Sequence, residues 1–321
     1  MFKKILVPLD GSEHARKIVG WATVLERVLS AEIILLSVID PEYIDIFEAA
    51  TRGLEKRLAI GGSTAEPTVL PPIANVINQA FAQTEDDLKV EAEIISTAGV
   101  KSSIRAGAGS PAEVIVSGTH AESVDLIAMA TRRESALARG VLGSVLHSTS
   151  IPLLTLYPGG IHEFEKTSDA PERVIVPLDG STLSESSVKP AMEIAQASRA
   201  EIIFTEILRL PFFGVGVAGM EYGADDYAGD FRIDVQKKEI SSYLQGFVDD
   251  AEVTGVKASA NVRSGSPSQQ IIEEASEIDG SIIVMASHGS GGLKRWVVGS
   301  VADKIIRSAR RPVLVIPPKT G

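Results

Sequence analysis

The sequence predicts an α/β protein that carries one unit twice: two tandem open parallel sheets, five strands each, with helices on both faces. Three observations predict it. Five sequence blocks recur in the same order, about 160 residues apart. Within each copy, short apolar runs alternate with longer amphipathic ones. The polar and glycine-rich signals fall just after the apolar runs, where open α/β sheets bind ligands.

The recurrences are specific. KKILVPLDGSE returns as ERVIVPLDGST, and SAEIILLSVID as RAEIIFTEILR. RAGAGSPAEVI returns as VRSGSPSQQII, and VDLIAMATRR as GSIIVMASHG. LGSVLHSTSIPLLTLYP returns as VGSVADKIIRSARRPVLVIPP. The period far exceeds a solenoid repeat, so each copy is expected to bury its own core. YPGGIHEFEKTSDAPE, between Tyr157 and Glu172, has no sustained apolar period and reads as an exposed connection. The expected units are residues 1–158, a linker at 159–172, and residues 173–321.

Each element follows from its local pattern. ILVPL, EIILLSV, DLIAMA and PLLTL are apolar throughout, as parallel strands buried on both faces are. Ser12 can cap the first helix, with Glu13 in its first turn. Ile18, Ala22, Leu25 and Leu29 then fall on one helical face. Pro190 interrupts the matching helix of the second copy, a position tolerated near a first turn. Pro41 to Pro72 contains a helix pattern and a loop rich in Gly, Ser and Pro. Arg209 to Phe231 is acidic and aromatic, a lid or a disordered segment, and MEYGADDYAGDF within it lacks a helical apolar stripe. The last runs, IPLLTLYP and RPVLVIPP, read as apolar strands at a sheet edge, which invites pairing.

Composition narrows the function. Of 321 residues, 44% are hydrophobic and 23% charged, and the formal net charge is −11. Such a surface repels phosphate backbones, so no nucleic-acid partner is expected. A small anion remains admissible, because a nest of backbone amides overrides a global field. Without cysteine, thiol catalysis and cysteine-ligated metal sites are excluded. Pro8 and Asp10 stop the N-terminal apolar run too early for a secretory segment, and no run approaches about 18 apolar residues. A cytoplasmic protein without a membrane span is the expectation.

Two glycine-rich stretches compete for a ligand. GVGVAG, Gly214 to Gly219, satisfies G-x-G-x-x-G, but the strand before it ends at Leu208 and no helical pattern opens within it. ASHGSGGLKRWVVGSVADK, Ala286 to Lys304, lies between a buried strand and a helix. Gly289, Gly291 and Gly292 let the backbone turn and approach a ligand. Gly299-Ser300 falls where the helix opens, and its first-turn N–H groups favour an anion. The bland reading is a capped helix after a loop. VPLDGS supplies Asp179 at the end of the first strand, where a carboxylate can accept from ribose or adenine. Equally, Asp179 or Ser181 can serve only to cap the next helix. Lys294 and Arg295 fit a solvated face, and His288 a solvated loop or a ligand contact.

VPLDGS, the two GSP segments and MASHGSGGLKRWVVGSVADKIIRSARRPVLVIP together resemble the universal stress protein family, in its tandem two-domain form. The resemblance covers nearly the whole chain and implies a Rossmann-like fold of the adenine nucleotide alpha hydrolase kind. It implies ATP as ligand, with Mg²⁺ or Mn²⁺ carried on the phosphates and no protein metal site. Ala286-x-x-Gly289, nine residues, then Gly299-Ser300 matches the family's G-x-x-G, nine residues, G-[ST], with alanine for the first glycine. By the resemblance Pro177, Asp179 and Ile207 would face the nucleoside, Met285 and Ala286 would line the pocket, and Gly289, Gly292, Gly299, Ser300 and Val301 would hold the phosphates.

The first copy departs from that pattern. Its register gives Ala130-x-x-Arg133, nine residues, then Gly143-Ser144, with Arg132 and Glu134 crowding the loop. The helix after Gly143-Ser144 is four residues shorter than its twin. Asp10, Val38, Met129, Gly143 and Ser144 remain as a weaker second site. The expected function is nucleotide-dependent stress response or signalling through conformation or an unidentified protein partner, with the two copies docked as an intramolecular pseudo-dimer. Pairing of two chains as a homodimer is compatible with it. The alternatives are a slow ATPase or adenylate-handling enzyme, and a module that binds a different small molecule. No catalytic residue is assigned, since neither a positioned base nor a metal-carboxylate pair accompanies the motif.

Overall fold

The computed structural model describes residues 2–40, 73–131, 140–157, 170–208, 226–289 and 298–318, with the backbone alone described at 226–232. The N-terminal lobe runs β1 (Lys4–Pro8), α1 (Glu13–Leu29), β2 (Glu32–Ile39), α2 (Ile73–Thr97), β3 (Ser102–Ala108), α3 (Pro111–Ala121), β4 (Leu126–Ala130), α4 (Val141–Ser148) and β5 (Leu153–Leu156). The C-terminal lobe runs β6 (Arg173–Leu178), α5 (Thr182–Glu185), α6 (Val188–Ser198), β7 (Glu201–Leu208), α7 (Asp226–Val253), β8 (Ala258–Ser264), α8 (Pro267–Ser276), β9 (Ser281–Ala286), α9 (Ser300–Ser308) and β10 (Val313–Ile316).

All ten strands form one sheet in the order β3-β2-β1-β4-β5-β10-β9-β6-β7-β8. Pairing is parallel within each lobe. The lobes join through β5 and β10, which pair antiparallel with Leu314 opposite Leu154. Two short apolar strands that each lobe alone would leave exposed therefore cover one another. In each lobe the strand order reverses once, between β1 and β4 and between β6 and β9. That reversal opens a crevice at the carboxyl ends of those strands.

Alternation along the strands divides the core into two layers. Ile5, Val7, Ile33, Leu35, Val174, Val176, Ile202 and Phe204 enter one cluster, with Ile18 and Leu25 of α1 and Leu244 of α7. Leu6, Ile34, Ile175 and Ile283 enter the other, with Val145 of α4 and Ile305 of α9. Both clusters run through both lobes, and α1 touches α6 across the boundary. Burying a side chain such as Leu35 or Phe204 contributes about 1.5–3 kcal/mol each.

Local signals explain the helix ends. Ser12 caps α1 by accepting from the Ala15 amide at 3.1 Å. In the C-terminal lobe the equivalent stretch splits. α5 ends after one turn, and α6 starts at Val188 so that Pro190 is buried in its first turn, where its missing N–H is not needed. One expectation is corrected: Asp226 to Phe231, read as lacking a helical stripe, form the first turns of α7. Residues 234–239 of that helix are exposed, and burial begins around Ile240 and Tyr243. The Pro41–Pro72 segment and the GVGVAG stretch lie outside the described residues.

Candidate functional site

The C-terminal crevice is built from the turn after β6, the end of β7, and the β9–α9 connection. Gly180 adopts φ +75°, a left-handed turn that returns the chain into α5. Ser181 caps α5, accepting from the Ser184 amide at 3.1 Å. Asp179 Oδ1 accepts from both the amide and the hydroxyl of Ser181, at 3.2 and 2.6 Å. One carboxylate oxygen thus fixes the turn, so the capping role weighed in sequence is real. The other oxygen has a second neighbour. A Cβ built on Gly289 would overlap Asp179 Oδ2, so any larger residue there requires the carboxylate that also holds Ser181 to shift.

The opening of α9 supplies donors. Gly299 is its N-cap, and no side chain caps the helix there. The Gly299 amide itself donates to the Ser287 carbonyl at 2.9 Å, and Asp303 N–H donates back to the Gly299 carbonyl at 2.8 Å. Gly299 is therefore a spacer that docks the helix onto the end of β9. A Cβ there would stand 3.3 Å from the Ser287 carbonyl oxygen. The first-turn amides left without an intrahelical acceptor are those of Ser300, Val301 and Ala302. Ser300 is exposed and Val301 half-buried.

The remaining predicted positions surround this end. Pro177, Met285 and Ala286 are buried in β6 and β9. Ile207 is half-buried and packs on the same apolar cluster as Met285, Val298 and Val301. Gly292, Gly291, Lys294 and Arg295 lie outside the described residues.

Sequence reasoning missed two groups. Glu206, beside Ile207 on β7, is half-buried; burial, and then the Asp179 carboxylate, push its carboxyl above the usual range. A charged residue inside an otherwise apolar strand was the available signal. Tyr243 of α7 donates to Glu185 Oε1 at 2.9 Å, and burial together with that bond raises its phenol further above its ordinary value. The sequence points to His288 alone and not to its electrostatic neighbour His147. His288 is pushed below the ordinary imidazole value by burial first and by His147 of the N-terminal lobe second. Only the inter-lobe seam brings these two together, so no local pattern announces them.

The N-terminal crevice is organised differently. Asp10 Oδ1 accepts from the amide and hydroxyl of Ser12 at 3.0 and 2.5 Å, the same device as Asp179. Asp10 is exposed, Val38 half-buried and Met129 buried, matching their counterparts. The expectation that Gly143-Ser144 opens the helix is corrected. Gly140 is the N-cap, α4 begins at Val141, and Gly143 is buried as its third residue. Ser144 already donates to the Gly140 carbonyl at 3.0 Å. The free first-turn amides belong to Val141, Leu142 and Gly143, about one turn upstream of their C-terminal equivalents. Beyond Ser144 the helix is indeed shorter, but its earlier start leaves α4 with 8 residues against 9 in α9. Arg132, Arg133 and Glu134 lie outside the described residues.

Residues 1–150 and 171–317 match the pattern of the Universal stress protein family. The chain belongs to that family. A universal stress protein of Methanocaldococcus jannaschii is 31% identical over 146 residues, covering 45% of this chain and 81% of its own length. The crystal structure of a universal stress protein from Archaeoglobus fulgidus superposes with a TM-score of 0.65 at 20% identity, covering 98% of this chain and 96% of that one. That likeness establishes the tandem α/β fold. Another universal stress protein has been solved in complex with cAMP; it covers 46% of this chain and 97% of its own, with 24% identity and a TM-score of 0.31. As in other universal stress proteins, the mostly parallel sheet is flanked by helices. No helix among the described residues is long and apolar enough to cross a membrane.

Proposed function

We propose that this universal stress protein binds one adenine nucleotide, ATP with Mg²⁺ or Mn²⁺, in its C-terminal crevice, and acts in the stress response through nucleotide-dependent conformation or partner binding in the cytoplasm. The observation that carries the reading is the close passage of Gly289 over Asp179 beside an uncapped helix N-terminus. Asp179, Ile207 and Met285 would hold the nucleoside, and the Ser300, Val301 and Ala302 amides would take the phosphates. Each bond from such an amide to a charged phosphate contributes roughly 1.5–3 kcal/mol, so three suffice without a lysine clamp. Among the described residues no group of three or more His, Asp or Glu side chains could hold a metal, so the divalent ion would enter on the phosphates.

Titration calorimetry of the intact chain with MgATP should give a stoichiometry near one. Gly289→Val, which forces a side chain into Asp179, should abolish that heat while leaving the unfolding midpoint within a few degrees. Heat that persists in this variant, or none in the unaltered protein, refutes the assignment.

A further inference from the structure

The turn that carries Asp179 does not end at its cap. The Ser181 amide and hydroxyl both donate to Asp179 Oδ1, and that hydroxyl in turn accepts from the Ser184 amide. Ser184 closes the loop. Its own hydroxyl donates to the Ser181 carbonyl at 2.8 Å and accepts from the Asp179 amide at 3.3 Å. Ser184 is buried, so these bonds are sheltered from water and reinforce one another. Asp179 and α5 therefore move as one body. α5 is a single turn of 4 residues and is not continued into α6. A unit that short holds its place through what it touches.

Its last residue makes the outside contact. Tyr243 of α7 donates to Glu185 Oε1 at 2.9 Å. The phenol remains a donor at any ordinary pH, because burial first and the Glu185 bond second raise it far above its usual value. Its ring packs edge-on against Phe247, with centroids 5.2 Å apart, and Phe247 lies 5.5 Å from Phe204 of β7. This aromatic wall ends on the strand that presents Ile207, three residues beyond Phe204. Asp179 and Ile207 thus share one support: Ile207 through β7, and Asp179 through α5, Glu185 and Tyr243.

The N-terminal lobe has the contact in another form. Arg16 stands four residues after Ser12, as Glu185 stands four after Ser181, and it pairs with Glu91 of α2. There Ala15 replaces Ser184, and α1 runs on unbroken for 17 residues. A long helix holds its own first turn. The broken helix of the C-terminal lobe leaves that task to an outside contact.

Resting on the nucleotide reading above, we propose that Tyr243 is a positioning residue of the nucleotide site, which through Glu185 and the α5 turn holds the Asp179 carboxylate in its place beside Ile207. It acts without touching the ligand. Its effect is preorganisation: a carboxylate already held costs less to order when a nucleoside arrives.

The test is a double-mutant cycle on the full chain, read by calorimetry with MgATP. Tyr243→Phe deletes the hydroxyl and keeps the ring, and thermal unfolding checks that it folds. Glu185→Ala breaks the same bond from the other side and takes its place if the first variant is unstable. The expected loss of affinity is about three- to tenfold for either one. Glu185→Gln, which keeps an acceptor for the phenol, should stay within about twofold of the unaltered protein. In an Asp179→Ala background Tyr243→Phe should cost less than about 1.5-fold, because the group it positions is gone. A brace that served only stability would weaken binding equally in both backgrounds. Equal losses, or no loss from Tyr243→Phe, overturn the positioning role and leave the nucleotide reading standing. Should Asp179→Ala bind too weakly to measure, the Glu185 variants decide, and Glu185→Gln binding no better than Glu185→Ala overturns the role. No MgATP binding by the unaltered chain overturns the nucleotide reading and this inference with it.

Discussion

In the N-terminal lobe Gly143 is buried as the third residue of α4, whereas Gly299 at the matching position is the N-cap of α9. A register difference of one turn moves the whole crown of free amides relative to the carboxylate that faces it. Asp10 and Asp179 each accept from the amide and hydroxyl of the serine two residues on, so the turns after β1 and β6 are built alike. The helix openings are not. What differs between the lobes is where a helix begins: at Val141, three residues before Ser144, in one and at Ser300 in the other.

The opposite face of the sheet differs too. By strand register, Phe204 of β7 corresponds to Leu35 of β2, and Phe247 of α7 to Glu91 of α2. In the C-terminal lobe Phe204, Phe247 and Tyr243 stack with centroids 5.5 and 5.2 Å apart. In the N-terminal lobe buried Glu91 instead pairs with Arg16 at 2.5 Å. Such an aromatic pair contributes about 0.5–1.5 kcal/mol beyond its burial, while an ion pair half open to water contributes about 0–1 kcal/mol.

The largest effect that would sharpen this contrast is on stability. Phe204→Ala should cost about 3–5 kcal/mol in denaturant unfolding, and Leu35→Ala about 2–5. A smaller loss for Phe204 than for Leu35 would deny the aromatic wall its role. Next, Asp179→Ala should weaken MgATP binding by roughly tenfold or more, whereas Asp10→Ala should leave the tight site unchanged in calorimetry. Equal losses from both would erase the distinction between the crevices. The caps predict a symmetry: Ser12→Ala and Ser181→Ala should each lower stability by about 1 kcal/mol in thermal unfolding. A marked inequality would show that α1 and the short α5 are not equivalent.

The smallest effect concerns Glu206, whose N-terminal counterpart is Ser37. Its carboxyl is raised above 4.5 in the folded chain, so the folded state holds this proton more tightly than the unfolded one. That contribution is complete below the unfolded value and is lost as pH rises through the folded one. Glu206→Gln should therefore be slightly more stable at neutral pH, by about a few tenths of a kcal/mol because the group is partly solvated. Chemical unfolding at two pH values measures it; a less stable variant at neutral pH contradicts the sign.

The strands, their order of appearance and the pairing of the lobe edges were legible because fully apolar runs such as EIILLSV have few other uses. The start of α7 was not, since Asp226 to Phe231 carry no apolar period in the sequence. At the crevice, Asp179 and Gly289 could be chosen as neighbours from the topology alone, yet the reason for the glycine, a collision with a carboxylate, is three-dimensional. Gly299 was legible as the residue at which the helix opens, but its own amide is not free for a ligand, because it donates to the Ser287 carbonyl. In the N-terminal copy the repeat carries Gly143-Ser144 across, yet the helix there opens at Gly140.

The antiparallel seam between β5 and β10 has an evolutionary corollary. A homodimer built on that same strand must present two identical halves, and any substitution strikes both at once. Fusion into one polypeptide removes that constraint and keeps the partners together at any dilution. Each half is then free to change without altering the other.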